Sequence, residues 1–473
     1  LYALSFRLEV MVHVRRKRPK AAVWVVAIIG LLILCPTTAF LIGFGPVDIG
    51  PASRDLDRAA AAYRATGLPW EAKDLTPNPP VSDAENGAAP LQQAIALFNL
   101  RHWDKDNADM QTLLSKNDFS GAEKILETYH DALSQTEKAL VFKGVDFHYD
   151  WDLGPNIRFQ EFAPMKGLAT AFCTRARIAA SKGDLNATLL DLRKAEKLAE
   201  FTGSQPTIIS LLVKVALQQV MVKTFATCGA MFRGNAPALE SLRNSLKGVD
   251  LKSDFTYYLR GEAYMGLAIL RNFSAYGGLS GLRRMSSGDD DSGSQLPPIN
   301  PDTLQRTGLP TGLWARAFAD HHLKAWTLLA TMLKQDGSDP VKYGPDADKV
   351  LNLTLNKRSL SGLLDEILFP VFSQAGLAPL RVAGSEEATD ALLESLEIQA
   401  RTGKLPTSMS QLTGHWVGPF DRQPLHMVVK GNSFRIYTPN IDGVDHGGVD
   451  PSEAKDFNDS DIVAAYPPIA KKK

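Results

Sequence analysis

Twenty-four consecutive residues without a charge, Ala21–Phe44, constrain this chain more than any other feature in it. As a helix rising 1.5 Å per residue they reach about 36 Å, enough to cross a hydrocarbon layer of about 30 Å with some tilt. Arg15, Arg16, Lys17, Arg18 and Lys20 stand just before the run, and Asp48 follows it. That asymmetry keeps the N-terminus in the cytoplasm and sends the rest of the chain across the membrane. A cleaved signal peptide is the alternative, with Thr37 and Ala39 as a weak cleavage site. Its apolar part would measure about 7–15 residues, and this run is longer. Cys35 follows a leucine and precedes Pro36, which argues against a lipoprotein signal. Met11 is a second candidate first residue beside Leu1, and would shorten the cytoplasmic tail.

The 473 residues carry 52 Lys+Arg and 52 Asp+Glu, with a hydrophobic fraction of 44%. Such a balance excludes full-length disorder and a multi-span membrane protein, and it gives no basic excess of the kind that marks a nucleic-acid partner. The expected partners are the lipid bilayer, through residues 21–44, and proteins of the cell envelope, with no nucleic acid. The neutral total is a cancellation. Residues 1–50 hold six basic and two acidic side chains, and residues 442–461 hold seven acidic and one basic.

Beyond the anchor the pattern is helical. Ser53–Thr66 reads as an alanine-rich helix with Ser53 as N-cap, and a proline-rich passage follows from Leu75. Helices are expected over Asp83–Arg101, Ser120–Phe142, Pro206–Met231, Ala236–Leu246 and Phe255–Phe273. Met165–Phe201 holds two helical patterns joined by Lys182-Gly183-Asp184, with Ala169, Ala171, Ala176, Ala179, Ala187 and Ala195 on packing faces. It resembles one tetratricopeptide-type unit, but no second copy follows, which favours a plain helical hairpin in an irregular bundle. Residues 275–311 turn to Gly, Ser, Pro and Asp, as a flexible linker or loop does. Helices resume at Gly312–Lys334, Ala347–Leu355, Leu360–Gln374 and Ser385–Arg401. The expected organisation is a basic cytoplasmic tail (1–20), a transmembrane helix (21–44), an exported helical domain (52–274), a linker (275–311), further helices (312–384) and a C-terminal module (385–473). The fold class is mainly α, an irregular bundle or TPR-like hairpins, with a small α+β module at the end.

Catalytic motifs are missing: the chain has no HExxH, no GxxxxGK[ST], no GxSxG and no GxGxxG between strand and helix. His321 and His322 are neighbours on a helix and point about 100° apart, so they do not easily share a metal. They read as one exposed and one half-buried side chain. Cys173 and Cys228 lie in helical patterns, as an exported disulfide or as two small buried thiols. His148, Asp150, Trp151 and Asp152 could recognise a sugar or cation by stacking plus carboxylates, or could plug a loop onto the helices. Arg283 and Arg284 with Asp289-Asp290-Asp291 read as solvated charge. Nothing joins a nucleophile to a base, so the chain reads as non-catalytic.

The C-terminal module is more specific. A helix with Leu392, Leu393, Leu396 and Ile398 near one face stops at Gly403, with Pro406 beyond it. Two strands, Leu425–Val429 and Phe434–Tyr437, flank a Gly431-Asn432 turn suited to an antiparallel hairpin. In order come Gly403-Lys404-Leu405-Pro406-Thr407, Leu412, Gly418-Pro419-Phe420-Asp421-Arg422-Gln423-Pro424-Leu425, Tyr437-Thr438-Pro439-Asn440-Ile441-Asp442-Gly443, Gly447-Gly448 and Asp459-Ser460-Asp461-Ile462. This series resembles the globular head of the major pseudopilin of bacterial type II secretion. The resemblance spans residues 385–462. It departs from the family at Leu405, where the family has tyrosine, at Gly418, where it has aspartate, and in a longer stretch between Gly448 and Asp459.

The resemblance implies a structural Ca²⁺ held by the acidic loop. By matching position its ligands would be Asp442, Asp459 and Asp461; Asp445 is added from composition. A hard cation wanting six to eight oxygens suits such a loop. Pseudopilins also carry a prepilin-peptidase signal before a polymerising helix, whereas this chain has an ordinary anchor and a long helical region. The whole arrangement, including Asp83-Ala-Glu-Asn-Gly-Ala-Ala-Pro-Leu, resembles large membrane-anchored proteins of planctomycete-like bacteria. The expectation is a single-pass protein of the inner (cytoplasmic) membrane, with its bulk on the periplasmic side. It would act as a scaffold or interaction module. The alternatives are an envelope hydrolase or sugar-binding protein, and an accessory component of a type II secretion-like apparatus.

Overall fold

A helix with apolar residues around most of its circumference needs neighbours on several sides, and Ile208–Met231 is such a helix in the middle of this chain, although Ile209 and Leu212 remain 46% and 41% exposed. The computed structural model describes residues 49–246, 255–278, 299–335, 372–431, 433–456 and 459–468. The expected tail and anchor (1–44), Arg283, Arg284, Asp289–Asp291 and the helix expected at Ala347–Leu355 lie outside the described residues. Within them, helices dominate: α1 Ile49–Ala65, α2 Ala88–Phe98, α3 Trp103–Ser115, α4 Phe119–Glu127, α5 His130–Ala139, α6 Phe162–Ser181, α7 Leu185–Thr202, α8 Ile208–Met231, α9 Ala236–Ser245, α10 Phe255–Arg271, α11 Leu313–Gln335 and α12 Phe372–Thr402. A sheet of three strands follows: β1 His426–Lys430, β2 Ser433–Thr438 and β3 Ile462–Tyr466.

Three cores meet at α8. Its first half (Ile208, Leu211, Val215) joins Leu56 and Tyr63 of α1, Leu259 and Leu267 of α10, and Trp326 of α11. Leu217 and Met221 join the cluster of α2–α7 around Phe98, Tyr129 and Phe172. Phe225 and Cys228 join α9, α12 and the sheet. By length and composition α8 could cross a membrane, but half of its most apolar stretch is buried inside the protein.

The helix starts follow from side-chain capping. Asp118, Asp184, Thr207 and Asn235 each accept the amide three residues on (Gly121, Ala187, Ser210 and Ala238) and so satisfy an orphan donor of the first turn. Between α6 and α7, Gly183 adopts a left-handed φ of 76°, which lets Asp184 cap the next helix at once. Ala169, Ala171, Ala176 and Ala195 are buried in this hairpin, with Ala179 and Ala187 half-buried. Since α8 packs on both α6 and α7, the hairpin belongs to an irregular bundle. The stretch expected as one helix over Ser120–Phe142 is two, broken at Thr128–Tyr129, where the Tyr129 ring packs between Phe98 and Trp103 at 5.3 and 5.2 Å.

Two expected boundaries are packed across. Helix α12 runs unbroken through residues 384 and 385, and Pro379 lies inside it. The ends of the 275–311 stretch are also anchored. Tyr276 is fully buried and its hydroxyl donates to Leu153 O at 2.6 Å, while Gln305 N donates to Asn272 Oδ1 at 2.7 Å.

In the C-terminal module β2 is central, antiparallel to β1 and to β3. Lys430 pairs with Ser433, leaving the expected two-residue turn, and Gly431 has a φ of 60°. Phe434, Ile436 and Ala464 share the face that packs on Leu392, Leu393 and Leu396 of α12.

Glu262 offers a test of this core. Its Oε1 accepts Ile208 N, at the start of α8, at 3.0 Å, and burial pushes its carboxyl up to about 7. The ordinary value is 4.5, so the fold favours the protonated form. Stability is therefore full below about pH 4.5 and lost as pH rises through 7. Glu262→Gln should leave stability near wild type at pH 4.5 and raise it at pH 8 by on the order of 1–3 kcal/mol, read as a higher melting temperature. A pH-independent difference would contradict this.

Candidate functional site

The acidic turn of the C-terminal module is built around Asp461, whose side chain is fully buried beside the start of β3. Its Oδ2 accepts Gly448 N at 2.8 Å and Val449 N at 3.3 Å, and its Oδ1 accepts His446 N at 3.2 Å. Gly447 and Gly448 have φ of 72° and 76°, a conformation open to glycine that lets successive amides face one carboxylate. Asp442 Oδ1 accepts Val444 N at 3.1 Å, and Asp445 Oδ1 accepts Gly447 N at 2.7 Å, each closing a short turn. Asp459 is exposed, and its amide donates to Asp456 O at 3.1 Å. Arg435 clamps the turn to β2, holding Gly448 O at 2.7 Å and both carboxylate oxygens of Glu453 at 2.6 and 2.8 Å.

Asp442, Asp445 and Asp461 therefore lie in one turn, but they face different partners. His446 Nε2 is 3.7 Å from Asp442 Oδ2, His446 Nδ1 is 3.8 Å from Asp461 Oδ1, and His426 Nδ1 is 3.7 Å from Asp445 Oδ2. The His426 ring stacks on Tyr437 at 5.1 Å. Among the described residues no group of three or more His, Cys, Asp or Glu side chains could hold a metal ion. In this arrangement the carboxylates terminate backbone N–H groups, and they do not fit a ready-made six-to-eight-oxygen cage for Ca²⁺.

The cluster at 148–152 is a joint. Trp151 is 6% exposed and Asp152 2%. The Trp151 ring lies 5.9 Å from Tyr149 and 6.2 Å from Phe159, so protein occupies the space a stacked sugar would need. Asp152 Oδ1 accepts the Tyr264 hydroxyl of α10, and its Oδ2 accepts Arg306 Nη1 at 2.6 Å. Arg306 also holds Asp150 at 2.8 and 3.1 Å. His148 stays largely exposed with a φ of 54°. The remaining candidates are structural as well. His322 is 1% exposed, against the Cα of Gly266, and His321 is half-buried, where one exposed ring was expected. Cys173 and Cys228 are free and buried, and burial pushes both thiols up to about 12.

Composition hid a further cluster. Arg243 of α9 faces three carboxylates spaced along α12: Asp390 at 3.0 Å, Glu394 at 2.8 Å and Glu397 at 3.2 Å. Asp390 also accepts Trp416 Nε1 at 2.8 Å, and Glu394 Oε1 accepts Thr413 N at 2.6 Å. One guanidinium thus ties the bundle, α12 and the 413–416 loop together. The i, i+4 and i, i+3 spacing of these acids along one helix was the available signal.

Two stability tests follow from these geometries. Asp461→Ala strands three backbone donors and should lower stability by about 2–4 kcal/mol, with or without calcium. A melting temperature that calcium raises and a chelator lowers would show instead that the turn rearranges into a cage. Arg243→Leu leaves Asp390 and Glu394 without their cation, while Glu397 keeps Arg401 at 2.8 Å, and should cost about 3–5 kcal/mol; Glu394→Gln in the same chain should return part of it. Both are read by thermal unfolding of the full chain.

Compared with known protein families, curated proteins and solved structures, the chain matches none.

Proposed function

We propose that this protein is a non-catalytic, membrane-anchored scaffold that holds a pilin-head-like module at a fixed orientation on the periplasmic side of the cytoplasmic membrane. The observation that carries the reading is α12. It runs without a break from the core shared with α8 to the face under the sheet, locked by Arg243. A module carried on a flexible tether would sample orientations, whereas one on a continuous packed helix presents its loops in one pose. Val417 and Val444 are 45% and 52% exposed on this module, apolar groups suited to contact with an envelope protein. The uncharged run at 21–44 with its basic N-terminal flank supports the anchor and the topology.

An accessory role in a type II secretion-like apparatus is a narrower form of this proposal, and it rests on the ordered motifs between Gly403 and Ile462. The sugar-binding or hydrolytic alternative has lost its candidate site, because Trp151 and Asp152 are covered by Tyr149, Phe159, Tyr264 and Arg306.

Two measurements in cells test the proposal. An alkaline phosphatase fused after residue 473 should be active, and a fluorescent protein exported at the same point should be dark. The reverse pattern rejects the topology. A photo-crosslinking residue at Val444 should give an adduct of discrete mass in intact cells, while one at Val141, 81% exposed on the bundle, should not. Equal or absent adducts at the two positions would reject the module as the presenting surface.

A further inference from the structure

Beside the α1–α11 packing lies a cleft of about 600 Å³, within the size range of small-molecule sites. The apolar groups that reach it are Leu68, Tyr257 and Ala330, each half-buried, over a base of Leu259, Trp326, Leu329 and Leu333 that is itself no more than 2% exposed. At one end two cations converge on the turn that closes α1. Lys334 Nζ donates to Thr66 O at 2.8 Å, and Arg260 Nη1 donates to Gly67 O at 3.0 Å. Arg260 Nη2 donates to Asp74 O at 2.8 Å. These partners are main-chain carbonyls, which satisfy N–H donors without cancelling positive charge. The Asp74 carboxylate is directed away, onto the amides of Trp70 and Glu71 at 2.9 Å each. Among the described residues no Asp or Glu side chain lines the cleft. Behind Asn78 and Tyr257, which line both spaces, a second hollow of about 330 Å³ is lined by Lys143, Lys197 and Lys214 together with Glu200, which pairs with Lys197 at 3.4 Å.

An apolar floor alone would take any greasy molecule. Converging cations without a lining carboxylate add a sign to the selection: an anionic head is favoured, and a cationic head of the same shape is rejected. We propose that this cleft binds a single-chain amphiphilic anion, its hydrocarbon tail against Leu68, Tyr257 and Ala330 and its carboxylate or phosphate beside Arg260 and Lys334. A free fatty acid and a lysolipid phosphate share this chemistry. The site is independent of the scaffold reading, since it involves neither the C-terminal module nor its orientation.

The test uses the full chain in phosphatidylcholine nanodiscs, with empty discs as the partition control. The probes are palmitate, hexadecyl phosphate and hexadecyltrimethylammonium, followed by displacement of a fluorescent fatty acid. Both anions should displace it saturably, and the cation should need a concentration about tenfold higher or more. Lys334→Gln should weaken the anions by about three- to tenfold and strengthen the cation. It is the informative charge variant, because Arg260 also holds the Gly67 and Asp74 carbonyls in place. Ala330→Trp fills the cleft from α11 and should abolish displacement by all three probes, with the melting temperature reporting that the chain is still folded. Equal affinity for anions and cation, or unchanged binding in folded Ala330→Trp, would overturn the proposal. Displacement by inorganic phosphate alone at the same concentration would also overturn it, by removing the tail from recognition. If palmitate competes and hexadecyl phosphate does not, the source is a free fatty acid; the opposite order points to a phosphate-headed lipid.

Discussion

Everything in the bundle depends on the enclosure of α8. A helix with one apolar stripe can sit at a surface, but Ile208–Met231 has apolar side chains on several faces, and half of its most apolar stretch is buried against neighbours. The neighbours come from three separate cores, so α1 and α10, the α2–α7 group, and α12 with the sheet are coupled through one element. Small residues permit the approach. Gly229 lies where an added Cβ would come within 2.2 Å of Leu393, and at Gly261 it would come within 2.1 Å of Pro206 O. A methyl group at either place would push α12 or α10 off α8, and cores packed to crystal-like density do not absorb such shifts gradually.

Around that pillar the charged residues act as ties. Arg175 joins Glu137 of α5 to Asp191 of α7, each at 2.6 Å; Arg243 joins α9 to three acids of α12; Arg306 joins the 300–309 strap to Asp150 and Asp152. A guanidinium offers five donors in a planar fork, so it can satisfy several carboxylates from different elements while remaining partly solvated. Removing the arginine from any of these leaves desolvated negative charge, and that penalty is larger than the net gain from forming the pair. Such ties therefore fix geometry more than they add stability. Asp461 does the same with backbone amides in place of arginine, and so orders a turn of otherwise flexible composition.

This distinction explains what could be read from the sequence. Helix periodicity depends on near neighbours, so the starts expected at Pro206 and Ala236 fall within two residues of α8 and α9, and the hairpin around Gly431 sat within a residue of its expected strands, whereas Ser53, expected as an N-cap, lies inside α1. Strand β3 was not legible. Its five residues, Ile462 to Tyr466, alternate only weakly and become a strand by pairing with β2. The break between α4 and α5 escaped for a similar reason, since an aromatic cluster drawn from two other helices sets it. The acidic and aromatic groups at 148–152 and 442–461 were found, but composition cannot say whether a carboxylate faces solvent, an arginine or a buried amide. That choice is made by Tyr264, Arg306, Gly447 and Gly448, all distant in sequence or chosen for backbone conformation.

The same reasoning separates the two long apolar runs of the chain. Residues 21–44 carry no charge and few polar groups, and a cluster of five basic residues flanks them on one side. Helix α8 is also long and apolar, yet it includes Ser210, Lys214, Gln218, Gln219, Lys223 and Thr224. In lipid each of those groups would need a partner or a route to the interface. In the bundle Ser210 Oγ donates to Thr202 O at 2.5 Å and Gln219 Oε1 accepts Ser385 Oγ at 3.2 Å, whereas Thr224 Oγ1 is satisfied within the helix by Val220 O at 2.8 Å. Length and apolar character alone pass both runs as candidate spans. The polar atoms inside the runs separate them, because a buried hydroxyl or amide commits its helix to neighbours that can answer it. For α8 those neighbours are α7 and α12, and through α12 the pillar that holds the bundle together also sets the orientation of the C-terminal sheet.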